Sequence, residues 1–296
     1  MEEQSMKNSI GTQVFSRMHK RSVFLFIALV FAAAGIGCAQ VNHLREAQDA
    51  FNQAAHAENV LRFNPVPNSD AASLSAAART GYASVLVSLD RLDPQETNRL
   101  KGDKLWGNVL ALKALTQWRL RLYPQAKKTA AEALQLPVDA LHPRDRTLMA
   151  ALPALIRIDR VHHFISLGEG IENEEISKND FDANISIPLL DASTILDEAR
   201  RLAAPDEPIQ IYLIQAQLAA YRNLKIGYRK FSPEGRDSVP VVIKKEAQDR
   251  LQDLSDVLLA TIGSGDERSN LLLYWHKLIG LDAPDSRCQK REICGG

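Results

Sequence analysis

Few side chains in this chain combine the type and the spacing to do chemistry, and each such group has a simpler rival. Cys288 and Cys294 lie in the tail Cys288-Gln289-Lys290-Arg291-Glu292-Ile293-Cys294. Two thiols with no neighbouring His or third Cys make a poor zinc site, whereas in an oxidising compartment they close a small disulfide loop that staples the tail. His162 and His163 are adjacent in a segment of helical period. They therefore point about 100 degrees apart and cannot share one ion, which leaves them a structural role. The acidic stretch Glu169, Glu172, Glu174, Glu175, Asp180, Asp182 runs into a calcium-like alternation at Asp180, Asp182 and Asn184, with Asp191 following. Ile185 stands where a calcium loop needs glycine and Pro188 comes next, so the expectation is a solvated loop between helices.

The nucleophile and cofactor searches end the same way. Ser264 in Gly263-Ser264-Gly265 has no preceding strand, no elbow pattern and no evident base, and reads as a helix stop. Gly168-Glu169-Gly170 lacks the third glycine and the strand of a dinucleotide fingerprint, and the chain contains neither HExxH nor a phosphate loop. The expectation is a non-catalytic protein with no cofactor and no metal. Trp106, Trp118, Trp275, Tyr212, Tyr221 and Tyr228 recur at helical spacing and are expected as core and groove residues.

Charge narrows the partners. The chain carries 36 basic and 36 acidic residues, and 32 basic against 34 acidic remain once residues 1–37 are set aside. With no excess of Lys and Arg to neutralise phosphates, no nucleic-acid partner is expected.

The elements that position these groups read as helices throughout. Ala- and Leu-rich segments of helical period span 40–62, 70–91, 96–122, 124–136, 144–167, 188–203, 207–229, 241–262 and 266–280. Asp93-Pro94, His142-Pro143, Pro205-Asp206-Glu207-Pro208 and Gly265-Asp266 mark their ends, pairing side-chain acceptors with prolines suited to a first helical turn. Strand-like β-branched alternation is brief, at Ile185 to Ile187 and Val239 to Ile243, each time beside a proline. Short breaks between long helices favour antiparallel neighbours and stacked helical hairpins over a single bundle of four.

The first forty residues do not belong to that pattern. A basic stretch (Arg17, His19, Lys20, Arg21) leads into the uncharged apolar segment Val23 to Ala34 and then Gly35-Ile36-Gly37-Cys38-Ala39-Gln40. The apolar core is about a dozen residues, short of the roughly 20 that span a bilayer, and the whole reads as a signal peptide over 1–37. Met18 stands close enough to the basic stretch to serve as the start. Gly35-Ile36-Gly37-Cys38 resembles the lipobox of bacterial lipoproteins, departing from it at Gly35, where the family has Leu, Val or Ile. The resemblance implies that Cys38 becomes the diacylated N-terminus and holds the protein on a membrane; two acyl chains suffice for stable anchoring where one is marginal. Ala39 in place of Asp implies the outer membrane, facing the periplasm. Cleavage after Ala39, giving a soluble secreted or periplasmic protein, is the alternative.

Within 38–280 the chain resembles a tetratricopeptide repeat. Ala114, Tyr123, Ala126, Ala130, Ala133, Leu134, Leu136 and Pro137 match its small residue on the first helix, its aromatic at the turn, its packing positions on the second helix and its closing proline. Ala130 stands where the family often has a large aromatic, and Gly107 interrupts the preceding helix. Fainter echoes fall at Ala47, Phe51, Ala54; at Ala78, Tyr82, Val85; and at Ala192, Leu196, Ala199, a pattern that an Ala-rich chain also produces by chance. The resemblance implies an all-α fold of antiparallel helical hairpins stacked as a tetratricopeptide-like α-solenoid, followed by a tail over 281–296. It also implies a non-catalytic, membrane-anchored periplasmic scaffold that binds an envelope protein. The alternative is a periplasmic small-ligand-binding or transporter-accessory lipoprotein.

Overall fold

A computed structural model describes residues 42–63, 68–167, 178–231, 241–263 and 265–279. Cys38, the signal segment, the acidic residues 169–175, Ser264, Cys288 and Cys294 lie outside them. Among the described residues every regular element is a helix, so the chain is all-α. It divides into two compact units between Leu152 and Pro153.

The first unit opens with α1 (Asn42–Phe63) and α2 (Asn68–Asp90), which pack antiparallel: Leu44 shares a cluster with Val85 and Leu89, while Ala54 meets Ala78 and Tyr82. Small residues bring these helices together. A Cβ on Gly81 would stand 2.9 Å from that of Ala54 and 3.4 Å from the Ala50 carbonyl oxygen, a closeness that only small facing side chains permit. The echoes Ala47-Phe51-Ala54 and Ala78-Tyr82-Val85 thus lie opposite one another in one helix pair, with Phe51 and Tyr82 edge to face at 5.4 Å.

The sequence predicts one helix over 96–122, and the structure corrects this to α3 (Pro94–Gly102) and α4 (Trp106–Arg119). α3 begins on a capping box, the Asp93 carboxylate accepting from the Glu96 amide at 2.7 Å and Glu96 accepting from the Asp93 amide at 3.3 Å. It ends where Lys104 takes a left-handed φ of 58°, and the amides of Leu105 and Lys104 donate to the carbonyls of Leu100 and Lys101. The same turn closes α4, with Arg121 at φ 60° and Leu122 and Arg121 donating to Gln117 and Trp118. These are Schellman motifs built on residues other than glycine.

α4 and α5 (Tyr123–Leu134) form the next pair, and α4 also packs on α2. A single turn of 3₁₀ helix follows (Val138–Ala140), then α6 (Pro143–Leu167), which carries Pro153 in its interior. Arg146 on α6 secures the end of α5, donating to the carbonyls of Leu134, Leu136 and Pro137 at 3.2, 3.0 and 3.1 Å. Gly107 does not break α4: it lies buried in the first turn, where the carbonyl of Ala140 approaches so closely that a Cβ would stand 2.1 Å from its oxygen.

In the second unit a helical run begins with α7 (Lys178–Phe181), widens into a π turn (Asp182–Ser186) and continues as α8 (Ile187–Arg200). The expected solvated loop is therefore helix from Lys178 onward, and the strand-like Ile185 to Ile187 belongs to it. Pro188 explains the wide turn. Its ring would strike the carbonyl four residues back and it has no N–H to donate, so the backbone opens by one residue, with the Ile187 amide donating to the Asp182 carbonyl. Buried Ile185 then fits against Gly227, where a Cβ would come within 2.7 Å of its Cγ2. α9 (Pro208–Phe231) packs on α8, on α10 (Val241–Ile262) and on α11 (Asp266–Ile279). α10 stops at Gly263, at φ 75°, as a glycine helix stop requires.

Candidate functional site

The alanines singled out from the sequence are brought together. Ala114, Ala126, Ala130 and Ala133 are each 0–1 % exposed, α4 packs on α5, and a buried hydrogen bond from Thr129 to the Gln117 side chain, 2.8 Å long, ties the pair. Tyr123 is half-buried at the first residue of α5, and Pro137 is exposed just before the 3₁₀ turn. Ala192, Leu196 and Ala199 are buried on α8. His162 and His163 are both exposed on α6, and the Asp180 carbonyl accepts from the Asn184 side chain at 2.9 Å within the helical run. Among the described residues no group of three His, Cys, Asp or Glu side chains could hold a metal ion, and no helix is long and apolar enough to cross a membrane.

Two polar clusters emerge that the sequence reading did not single out. In the first unit the half-buried Glu58 carboxylate accepts from the Tyr82 hydroxyl at 2.7 Å and from Arg119 at 3.3 Å, and the Arg119 guanidinium lies 4.2 Å from the Trp118 ring centroid. Both carboxylate oxygens are occupied. The cluster joins α1, α2 and α4 through polar contacts laid over aromatic faces.

The second cluster is a seam through α8, α9 and α10. Arg200 donates to Gln210 (3.1 Å), Gln217 (3.2 Å) and Asp253 (2.9 Å), and Arg250 donates to Asp253 (2.8 Å) and Asp197 (2.7 Å). Gln217, fully buried, returns its amide to Asp197 at 2.9 Å and to the Ser193 carbonyl at 3.2 Å. Gln210 uses its amide to close α8, donating to the carbonyls of Arg200, Ala203 and Ala204. Tyr221 donates to Glu246 at 2.9 Å, which leaves the Ser193 hydroxyl to donate to the Tyr221 oxygen at 3.0 Å.

In chemical terms the seam is a clasp. Asp197 and Asp253 face guanidinium groups, Glu246 faces the Tyr221 hydroxyl, and the Ser193 hydroxyl is held by that phenol and by Gln217. Polar residues on an otherwise apolar stripe were the available signal: Gln210, Gln217 and Tyr221 share a face of α9 with Leu213, Ile214 and Leu218, all buried.

The clasp makes a pH prediction. Burial pushes the Tyr221 hydroxyl up to about 12 from 10.0, with the bond to Ser193 opposing and the Glu246 carboxylate adding to the rise. A folded-state value above the unfolded one means that the stability is complete below pH 10 and declines as pH rises from there to about 12. The loss amounts to roughly 2–3 kcal/mol, since each unit is about 1.4 kcal/mol. Urea melts across this alkaline range should show that decline in the wild type, and Tyr221→Phe should flatten it; an unchanged slope in the variant would refute the assignment.

No protein-family model matches the chain, and neither a curated protein nor a solved structure matches it.

Proposed function

We propose that the chain is a non-catalytic scaffold of the bacterial cell envelope, anchored in the outer membrane through a lipidated Cys38 and binding a protein partner through tetratricopeptide-like stacked helical hairpins. The observation that carries the reading is the alanine-lined α4–α5 pair, where four alanines are closed to solvent. Alanines at three- and four-residue spacing let two helices approach closely, and the flanks of such pairs then form a continuous surface. The order of neighbours in the first unit supports the stacking: α2 packs on both α1 and α4, and α4 on α5. The polar clusters support the non-catalytic part, since Glu58 is taken up by Tyr82 and Arg119, and Asp197 and Asp253 by Arg250 and Arg200.

Two experiments test the halves of this reading separately. Cys38→Ser should move the protein from the membrane fraction to the soluble fraction, because both acyl chains are lost with the thiol; unchanged fractionation would remove the anchor. Cross-linking of the anchored protein in its native envelope, followed by mass spectrometry, should return one consistent protein partner. A co-purifying small molecule without a protein partner would favour the ligand-binding alternative.

A further inference from the structure

The route of the chain determines which end of the first unit lies near an anchor at Cys38. α1 begins at Asn42, and the four Cα steps from Cys38 span at most about 15 Å in any conformation. At that start His43 donates to Glu96 at 2.9 Å, which places the beginning of α1 against α3. The same end gathers the start of α4 and the 3₁₀ turn: Lys101 of α3 lies 5.3 Å from the Trp106 ring centroid, Gly107 meets Ala140, and Lys104 pairs with Asp139 at 2.5 Å. The opposite end, where Glu58 near the end of α1 meets Arg119 at the end of α4, is roughly 20 Å away along the fourteen residues of α4.

The near end has the side chains of a bilayer surface. Val138 projects with 78 % of its area exposed, and the exposed Lys101 lies over Trp106, a half-buried ring that packs on the core of the unit and keeps its remaining surface at this end. Its acidic Glu96, Asp103 and Asp139 are matched in number by Arg99, Lys101 and Lys104, with Arg99 paired to Asp103 and Lys104 to Asp139. The contact therefore needs no anionic lipid.

We infer that the first unit stands on the membrane on this end, with the 138–140 turn and the Lys101–Trp106 pair at the headgroups of a neutral bilayer and the α4–α5 turn directed away. The inference rests on the proposed lipidation of Cys38. The test uses the full lipidated chain on phosphatidylcholine vesicles carrying a nitroxide-headgroup lipid. A fluorescent label is placed at Val138→Cys or at Arg121→Cys, each on a Cys288→Ser, Cys294→Ser background. The expected result is quenching several-fold stronger at position 138 than at 121, unchanged when anionic lipid is added. Co-floating vesicles with equal quenching, or with stronger quenching at 121, overturn the orientation and leave the anchor standing. A chain that does not float with the vesicles overturns the anchor and the orientation with it.

Discussion

Gly107→Ala should destabilise the first unit by about 2–3 kcal/mol, read as a lowered midpoint in urea. The added methyl would stand 2.1 Å from the Ala140 oxygen and 3.0 Å from both the Ala140 carbonyl carbon and the Leu141 Cα. All three are backbone atoms, so no rotamer change relieves the clash, and the 3₁₀ turn must move away from α4. Overpacking of this kind costs about 1–3 kcal/mol and more against backbone, while alanine returns up to about 1 kcal/mol of helix propensity. Gly227→Ala should cost less, since the atom it meets is the Ile185 Cγ2, a side-chain methyl that can shift. Gly102→Ala, with nothing within 4 Å, should be neutral or mildly stabilising. If Gly107→Ala and Gly102→Ala melt alike, the close approach of the 138–140 turn is not as described.

Arg200→Ala should cost the second unit about 2–3 kcal/mol. The side chain is 16 % exposed and donates to groups on both neighbouring helices. Its removal strands the side-chain oxygens of Gln210 and Gln217, whose residues are 5 % and 0 % exposed, and leaves Asp253 to Arg250 alone. A stranded buried acceptor costs about 1–3 kcal/mol, and the residual exposure of the seam keeps the total below that of a fully buried ion pair. Arg200→Lys should recover only part of the loss, because a compact ammonium cannot serve several acceptors held in a fork geometry. The comparison is Asp191→Asn, which breaks an exposed pair with Arg157 at 3.9 Å and should cost no more than about 0.5 kcal/mol. Equal effects for Arg200→Ala and Asp191→Asn would show that the seam does not hold the helices.

The helices were legible because their signals are local. Asp93-Pro94-x-Glu96 carries a capping box in four residues, and Gly263 supplies the positive φ on which α10 stops. The division of 96–122 was not legible, because the left-handed positions belong to Lys104 and Arg121, residue types that carry no such preference. Tertiary packing and the Schellman hydrogen bonds hold them there, at a cost in backbone strain of about 1 kcal/mol or more each. The helical run through Asp180, Asp182 and Asn184 was hidden by Pro188, which signals a break in sequence and is accommodated here by a wider turn.

The candidate site divides along the same line. Ala126, Ala130 and Ala133 could be placed at a helix contact from spacing alone, because a three-to-four repeat puts them on one stripe of α5 whatever they face. Gln217 could not be joined to Arg200, nor Arg250 to Asp197, because each belongs to a different helix. Their chain separations of 17 and 53 residues carry no local pattern.

By itself, then, the sequence determined the all-helical character, most helix ends and the small-residue stripes, since these follow from backbone sterics, capping chemistry and a period of 3.6 residues. The tertiary structure decided the rest: the pairing of α1 with α2, the meaning of Gly107 as a seat for the Ala140 carbonyl, and the clasp across α8, α9 and α10. Each of these needs two segments distant in the chain to meet, and the free energy of that meeting depends on shape and on hydrogen-bond partners that neither segment specifies alone.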